Sequence, residues 1–332
     1  METIDILRHA WFVLIGVLFV GYSILDGFDL GIGALFPFLA RDESDKRALV
    51  NSIWPVWDGN EVWLLTAGGA MFAVFPQAYA TVFSGFYLAL MLVLFALIFR
   101  AVSLEFWYYD EARRTLWQWA FTIGSLLPAL LFGVALGNVV IGVPLDAAME
   151  YAGDFFTLLR PYPLLIGLLG LSAILLQGAT YAVLKTDGAL RERARAASRA
   201  TWIGFIVMFN AALIATIVYQ PLFFRKTLAL VFVFAVVAAW LALAVAQRRR
   251  RDGWAFLFSS LVFAGLWGVA GASHHPFLVK GGGDALTSIT IANGSSSELT
   301  LTVTLVIALI GMPVVIGYTA YVYRVFRGTA RV

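Results

Sequence analysis

Long apolar stretches separated by short charged segments make up most of the chain. A helix rising about 1.5 Å per residue crosses about 30 Å of hydrocarbon in some 20 residues, and nine stretches reach that length. The pattern therefore predicts an all-α polytopic membrane protein with nine transmembrane helices. The stretches cover residues 9–38, 50–76, 79–101, 116–142, 161–185, 200–219, 226–246, 253–274 and 299–326.

The composition supports a membrane protein and excludes every site that depends on cysteine. Of the 332 residues, 61% are hydrophobic and 13% are charged, which lies outside the range of ordinary soluble domains. The absence of cysteine excludes disulfides, iron–sulfur clusters and thiolate-bound metals. Basic residues lie between the apolar stretches instead of forming one patch, so we expect no nucleic-acid partner. Because the N-terminus lacks a basic segment, we expect the first helix to be retained.

The basic residues also predict the orientation of the helices. If the N-terminus lies outside, only five of the 23 basic residues face outwards: Arg8, Arg160, Arg225, Lys226 and Lys280. The other 18 then lie in inner segments, as the positive-inside rule requires. The sequence thus predicts an N-out, C-in topology.

A weak internal repeat indicates how the helices could be grouped. The segment Gly16–Gly27 aligns with Gly167–Gly178 at a constant offset of 151 residues, and Gln177 then replaces Asp26. Two four-helix halves and a ninth helix would explain the match, although apolar helices also align by chance. On the first interpretation, residues 1–148 form one four-helix bundle, 149–276 a second, and 277–332 an outer loop with a peripheral helix.

Four of the 20 acidic residues lie within the first two apolar stretches: Asp26, Asp29, Asp58 and Glu61. A carboxylate at the centre of a membrane helix costs roughly 2.5 to 3.5 kcal/mol, so such groups usually face a bundle interior and mark an ion, proton or ligand path. The predicted topology places all four in the cytoplasmic half. Arg100, at the cytoplasmic end of the third stretch, lies at a similar depth.

Helical spacing predicts which of these side chains share a face. Residues three or four apart point the same way, which pairs Asp26 with Asp29, Asp58 with Glu61, and Trp54 with Asp58. Two interpretations stay open: a proton relay, with Asp58 as its leading residue, or a structural ion pair such as Asp29 or Asp58 with Arg100. A small helix rotation would turn Glu61 towards a partner subunit or lipid headgroups.

The histidines argue against a haem bound by this chain. His9, His274 and His275 fall at the outer ends of predicted helices, and their spacing does not form a metal site. The sequence also lacks a P-loop, a dinucleotide fingerprint and a Ser/His/Asp constellation. A proton-coupled transporter, a non-catalytic subunit of a membrane redox enzyme and a purely structural partner therefore remain alternatives.

Several strings of residues match one known family. The two longest are Asp26-Gly-Phe-Asp-Leu-Gly-Ile-Gly33 and Trp57-Asp-Gly-Asn-Glu-Val-Trp-Leu64. In order and at suitable spacing, these strings resemble subunit II of the cytochrome bd-type quinol oxidases over nearly the whole chain. The further strings are Phe75-Pro76 with Tyr79-Ala80, Phe83-Ser84-Gly85, Arg100 followed by Glu105-Phe106, Gln177-Gly-Ala-Thr-Tyr181 and Trp254-Ala-Phe-Leu-Phe-Ser-Ser260.

The resemblance implies a fold, a partner and an activity. Such a subunit has two four-helix bundles and one peripheral helix, and forms a heterodimer with a similar subunit I in the bacterial inner membrane. Subunit I carries low-spin haem b, high-spin haem b and haem d, and the complex oxidises quinol, reduces dioxygen to water and generates a proton motive force. Small single-helix accessory subunits, lipids and a quinone bound in this chain are further partners that the resemblance allows.

The resemblance also assigns residues to roles, none of them catalytic in this chain alone and none of them a metal ligand. It implies a proton path led by Asp58, with Asp29, Asp26 and Arg100; Glu61 is a further candidate from its place among the four acids. Trp57, Asp58 and Asn60 are expected to contact the haem-bearing partner, and Trp63 to border an oxygen route. The short connection between the sixth and seventh helices departs from longer-looped relatives, so no function tied to that loop is expected here.

Overall fold

In the computed structural model of the protein, residues 2–282 and 287–330 are described. Within these ranges the chain forms eleven α-helices and one small antiparallel sheet. The helices are α1 (Thr3–Leu39), α2 (Glu43–Ile53), α3 (Trp57–Val74), α4 (Pro76–Gly85), α5 (Tyr87–Tyr109), α6 (Arg114–Ile141), α7 (Pro161–Lys185), α8 (Gly188–Tyr219), α9 (Thr227–Arg248), α10 (Asp252–His274) and α11 (Glu298–Val325). The strands are β1 (Phe277–Val279) and β2 (Ile289–Thr290).

Local sequence explains where several helices begin. The Asp42 side chain accepts a hydrogen bond from the backbone N–H of Asp45, and Ser297 caps α11 through Thr300 in the same way. Pro76 and Pro161 occupy the first turns of α4 and α7, where a missing N–H costs nothing because no helical partner is available to it.

Eight helices in the described ranges are long and apolar enough to cross a membrane, namely α1 and α5 to α11. They correspond to the first and the third to ninth predicted stretches. The all-α membrane fold is therefore confirmed, whereas the count of nine and the N-out orientation stay predictions.

The second predicted stretch, 50–76, differs from the expected single helix. The chain leaves helical structure after Ile53 and re-enters it at Trp57, with Pro55 inside the break. Proline lacks a backbone donor and its ring clashes with the preceding turn, so a helix stops before it. The predicted pairing of Trp54 with Asp58 on one helix face is consequently wrong. The third stretch is likewise divided, because α5 starts only at Tyr87, so Arg100 lies within α5 and not at its end.

Helix α1 lies at the centre of the molecule and packs against α3, α6 and α7. It crosses α7 at very short range, since a Cβ atom on Gly31 would lie 2.6 Å from the Cα of Gly178. These are the two helices that carry the internal repeat. Helix α6 joins α5 to α7, and α10 packs on α7 and α9, so the proposed halves pack directly against each other. The predicted domain boundaries at 148 and 276 remain a prediction.

The C-terminal helix α11 lies on the surface of the chain. Among its described residues only Leu301 is buried. Before its start, the sheet of β1 and β2 forms part of the predicted outer loop that begins at residue 277, of which residues 283–286 lie outside the described residues. Arg331, assigned to the inner side by the charge pattern, also lies outside them.

Candidate functional site

A buried arginine joins three helices. The Arg100 side chain on α5 is fully buried and donates through Nη2 to Asp26 Oδ1 on α1 at 2.7 Å. Its Nη1 donates to Glu61 Oε1 on α3 at 3.1 Å. The Asp26 side chain is fully buried, whereas Glu61 is 26% exposed. One guanidinium thus holds a buried carboxylate and a carboxylate that reaches the surface of the chain.

Asp29 lies next to this ion pair but binds a different partner. Its fully buried carboxylate accepts through Oδ2 a 2.7 Å hydrogen bond from Asn60 Nδ2. The Asn60 Oδ1 atom accepts from the Tyr323 hydroxyl of α11 at 2.9 Å. We call Asp26, Asp29, Asn60, Glu61 and Arg100 the carboxylate–arginine cluster.

Small residues let the helices come close enough to form the cluster. A Cβ atom on Gly124 of α6 would lie 2.7 Å from the Ala96 carbonyl oxygen and 2.9 Å from the Arg100 backbone nitrogen. Any larger residue there would push α5, and Arg100 with it, away from α6. A side chain on Gly21 would overlap the Trp63 ring, which lies directly on α1.

Several buried polar atoms around the cluster have no hydrogen-bond partner among the described residues. They are Asp26 Oδ2, Asp29 Oδ1, Arg100 Nε, Trp63 Nε1 and the Tyr22 hydroxyl. Tyr22, Asp26 and Asp29 follow one another at helical spacing on a single face of α1. Since buried polar atoms are normally hydrogen-bonded, this concentration of unpaired atoms marks the region as polar and available to small hydrogen-bonding species.

The structure does not bring Asp58 into the cluster. Its side chain lies in the first turn of α3, is exposed, and forms no hydrogen bond or ion pair within the described chain. It begins a stripe of exposed residues along α3 that continues through Val62, Leu65, Gly69 and Phe72. Asp58 therefore lies at the surface one helical turn from Glu61.

The sequence-based example of an ion pair, Asp29 or Asp58 with Arg100, names the wrong acids. Arg100 pairs with Asp26 and Glu61, because α3 begins at Trp57 and turns Glu61, not Asp58, towards α5. Trp57 is partly buried at the start of the same helix.

Two residues of this region escaped the sequence-based interpretation. Tyr22 could have been found, since it precedes Asp26 by one helical turn on an apolar face. Tyr323 carries no local indication, because 263 residues separate it from Asn60 and only the packing of α11 brings them together.

Within the described residues, no group of three or more histidine, cysteine or carboxylate side chains is arranged to hold a metal ion. The rings of His9 and His275 lie 5.1 Å apart near the sheet, and His274 Nε2 contacts the Leu278 carbonyl oxygen at 3.2 Å. The histidines thus lie near the start of α1, whereas the carboxylate–arginine cluster lies around its second half.

Comparisons with known proteins point in one direction. A family model described as cytochrome bd terminal oxidase subunit II matches residues 7–326. The cytochrome bd-I ubiquinol oxidase subunit 2 of Escherichia coli (strain K12) is 37% identical over 355 residues, covering 96% of this chain and 94% of the relative. The cytochrome bd ubiquinol oxidase subunit 2 of Bacillus subtilis (strain 168) is 35% identical over 325 residues, covering 97% and 96%.

A solved structure shares the fold. A chain of the bd oxidase from Geobacillus thermodenitrificans aligns with a TM-score of 0.80 at 21% sequence identity, covering 96% of this chain and 98% of that one. At this identity the likeness concerns the arrangement of helices.

Proposed function

Because the chain belongs to the cytochrome bd terminal oxidase subunit II family and is part of a quinol oxidase complex, we propose that its carboxylate–arginine cluster delivers protons for dioxygen reduction in the partner subunit. The observation that carries this proposal is the contact of one buried arginine with Asp26 and Glu61, beside a second buried carboxylate at Asp29.

The charges in the cluster favour proton exchange over a purely structural role. Three carboxyl groups lie around one guanidinium, which contacts two of them, so ionising all three leaves two negative charges without a compensating cation. In a low-dielectric interior, the protonation of one acid in such a group depends on the charge of the others. The positive charge of Arg100 offsets part of the repulsion between the carboxylates. The Asp26 and Asp29 oxygens that have no hydrogen-bond partner among the described residues are available to accept a proton.

The exposure of the residues supports an order for the path. Asp26 and Asp29 are fully buried, Glu61 reaches the surface, and Asp58 lies exposed one turn away. We propose that protons enter from the cytoplasm, pass the buried acids and leave through Glu61 and Asp58 towards the partner. The exposed stripe on α3, which begins at Asp58, would be the surface that the partner covers. Trp57 and the buried Asn60 would lie next to it, and Trp63 beside an oxygen route.

The finer parts of the assignment belong to the same proposal. The low-spin haem b, the high-spin haem b and haem d supply electron transfer and oxygen reduction, and we place them in the partner because the histidines of this chain lie at the other end of α1. The basic segments, such as Arg248–Arg251 after α9, support an N-out orientation in a bacterial inner membrane. We propose that a quinol is the electron donor and that small single-helix accessory subunits are further partners.

An apolar cavity supports the idea that this chain holds a quinone as a structural lipid. It has a volume of about 160 Å³ and lies between α6, α7, α8 and α10. Phe132, Ile174, Phe209, Leu266 and Trp267 are among its lining residues. Its walls fit an isoprenoid segment better than a charged group.

Glu61→Gln in the assembled complex tests the proton path. Glutamine keeps a hydrogen-bond acceptor for Arg100 but cannot transfer a proton, so we expect oxygen consumption to fall at least about 10-fold; a positioned acid or base usually contributes about 10²- to 10⁴-fold. The haem absorption spectrum should stay unchanged. Glu298→Gln, which removes an exposed carboxylate at the start of α11, is the matched control.

Two other outcomes decide against the proposal. Normal oxygen consumption in Glu61→Gln would leave this chain as a scaffold for the partner. A loss of haem together with activity would make Glu61 an assembly residue.

A further inference from the structure

The C-terminal helix α11 reaches the carboxylate–arginine cluster through one side chain. Although α11 lies on the surface, Tyr323 near its end is only partly exposed, and its hydroxyl donates to Asn60 Oδ1 at 2.9 Å. The Tyr323 ring also meets Phe28, the neighbour of Asp29, edge-on at 6.4 Å. A peripheral helix thus contributes a hydrogen bond to the centre of the site.

Two partners together fix the orientation of the Asn60 amide: the Asp29 carboxylate, which only accepts hydrogen bonds, and the Tyr323 hydroxyl. Because Oδ1 accepts from Tyr323, Nδ2 is the atom directed at Asp29 Oδ2, to which it donates at 2.7 Å. The reverse orientation would place the amide oxygen against a carboxylate oxygen and the amide nitrogen against the hydroxyl. One oxygen of Asp29 is therefore held, while its Oδ1 remains without a partner in the described chain.

The end of α11 is anchored so that Tyr323 stays in place. Lys185 Nζ on α7 donates to the Phe326 carbonyl oxygen at 2.7 Å, and the Ala330 N–H donates to the Lys185 carbonyl oxygen at 2.8 Å. At the other end, Trp11 Nε1 donates to the Leu301 carbonyl oxygen at 3.0 Å. The helix is thus attached at both ends to the body of the chain.

Building on the proposed proton path, we propose that Tyr323 is a positioning residue for proton transfer at Asp29, acting through Asn60. Tyr323 does not carry the proton itself, because passing a proton through the Asn60 amide would require the amide oxygen to gain a proton while the amide nitrogen loses one. Its effect is geometric: it presents the free Oδ1 of Asp29 to the path. A cavity of about 380 Å³ is lined by Tyr323, Trp54 and Lys185 together with residues 325–330 of the C-terminal segment.

Tyr323→Phe in the assembled complex removes the hydroxyl alone and tests this role. Losing a hydrogen bond that orients a group next to a charge is expected to slow oxygen consumption about three- to tenfold. The solvent deuterium isotope effect on that rate should rise, with haem content and spectrum unchanged. Tyr321→Phe removes an exposed hydroxyl two residues earlier on the same helix and should change neither quantity.

The same substitution in an Asp29→Asn background separates positioning from general packing. If Tyr323 acts through Asp29, Tyr323→Phe adds no further loss once Asp29 cannot exchange a proton. Three outcomes would overturn the role of Tyr323 while leaving the proposed proton path intact. They are equal losses in both backgrounds, an unaffected isotope effect, and failure of the complex to assemble in Tyr323→Phe but not in Tyr321→Phe. Normal turnover in Asp29→Asn would overturn the proposed proton path as well.

Discussion

Two buried polar clusters lie at related positions in the molecule, and only one is charged. Gln177 on α7 aligns with Asp26 on α1 in the internal repeat and is equally buried, at 0% exposure. Its Nε2 donates to Ser260 Oγ at 2.9 Å, and its Oε1 accepts from Ser259 Oγ at 2.6 Å. Thr180 and Ser259 share a further hydrogen bond of 2.9 Å. Neutral side chains here connect α7 to α10.

The two clusters differ in how completely their atoms are paired. Each side-chain polar atom of Gln177, Thr180, Ser259 and Ser260 has a hydrogen-bond partner, whereas Asp26, Asp29 and Arg100 each keep one buried atom without a partner in the described chain. Helices can therefore be joined at this position without charge. Since burying ions is costly and rarely needed for stability, the charges around Arg100 are better explained by function.

Arg100→Met should have the largest effect, because it breaks the charged cluster at its centre. Removing one partner of a buried ion pair leaves uncompensated charge and costs about 3 to 5 kcal/mol. We expect a strongly reduced yield of assembled complex and an earlier thermal transition, together with lost oxygen consumption. A complex of normal yield and stability would show that Asp26 and Glu61 are neutral and need no cation.

Gln177→Leu disrupts the neutral cluster. It should lower stability less than Arg100→Met does, and it should not change turnover. Ser259 and Ser260 keep their hydrogen bonds to the Phe256 carbonyl oxygen, so only the bonds of the amide are lost. We expect a destabilisation of about 1 to 2 kcal/mol in thermal unfolding of the complex, with oxygen consumption per haem unchanged. Reduced turnover per haem would mean that the neutral cluster, too, takes part in the reaction.

The sequence predicted the helices well where an apolar stretch has clear ends. The bounds 161–185 agree with α7, whose first turn contains Pro161 and whose last residue is Lys185. It failed at 50–76, because apolar residues continue through Pro55 and hide the break between α2 and α3. Residue type and depth were enough to identify the four acids and Arg100 as candidates.

The pairing within the cluster could not be predicted from spacing. Which acid meets Arg100 depends on where α3 starts and how it is rotated, and this in turn depends on the break at Pro55. The contact between Tyr323 and Asn60 depends on the docking of α11, which is settled by tertiary packing. The family and fold class are confirmed by the comparisons, whereas the residue roles stay predictions.

Asp58→Asn provides the sharpest contrast, since it should reduce turnover with the smallest effect on stability. Asp58 is exposed in this chain and has no hydrogen bond or ion pair within the described residues, so we expect the folding stability of this chain, contacts with the partner aside, to change by no more than about 0.5 kcal/mol. Asparagine cannot pass a proton, and oxygen consumption should fall about 10-fold at an unchanged haem spectrum. Asp187→Asn, which removes an exposed carboxylate whose one ion pair among the described residues is with Arg191, should leave turnover unchanged. If Asp58→Asn instead turns over normally while Glu61→Gln does not, the proton leaves the cluster directly from Glu61, and the charged cluster ends one helical turn short of the exposed start of α3.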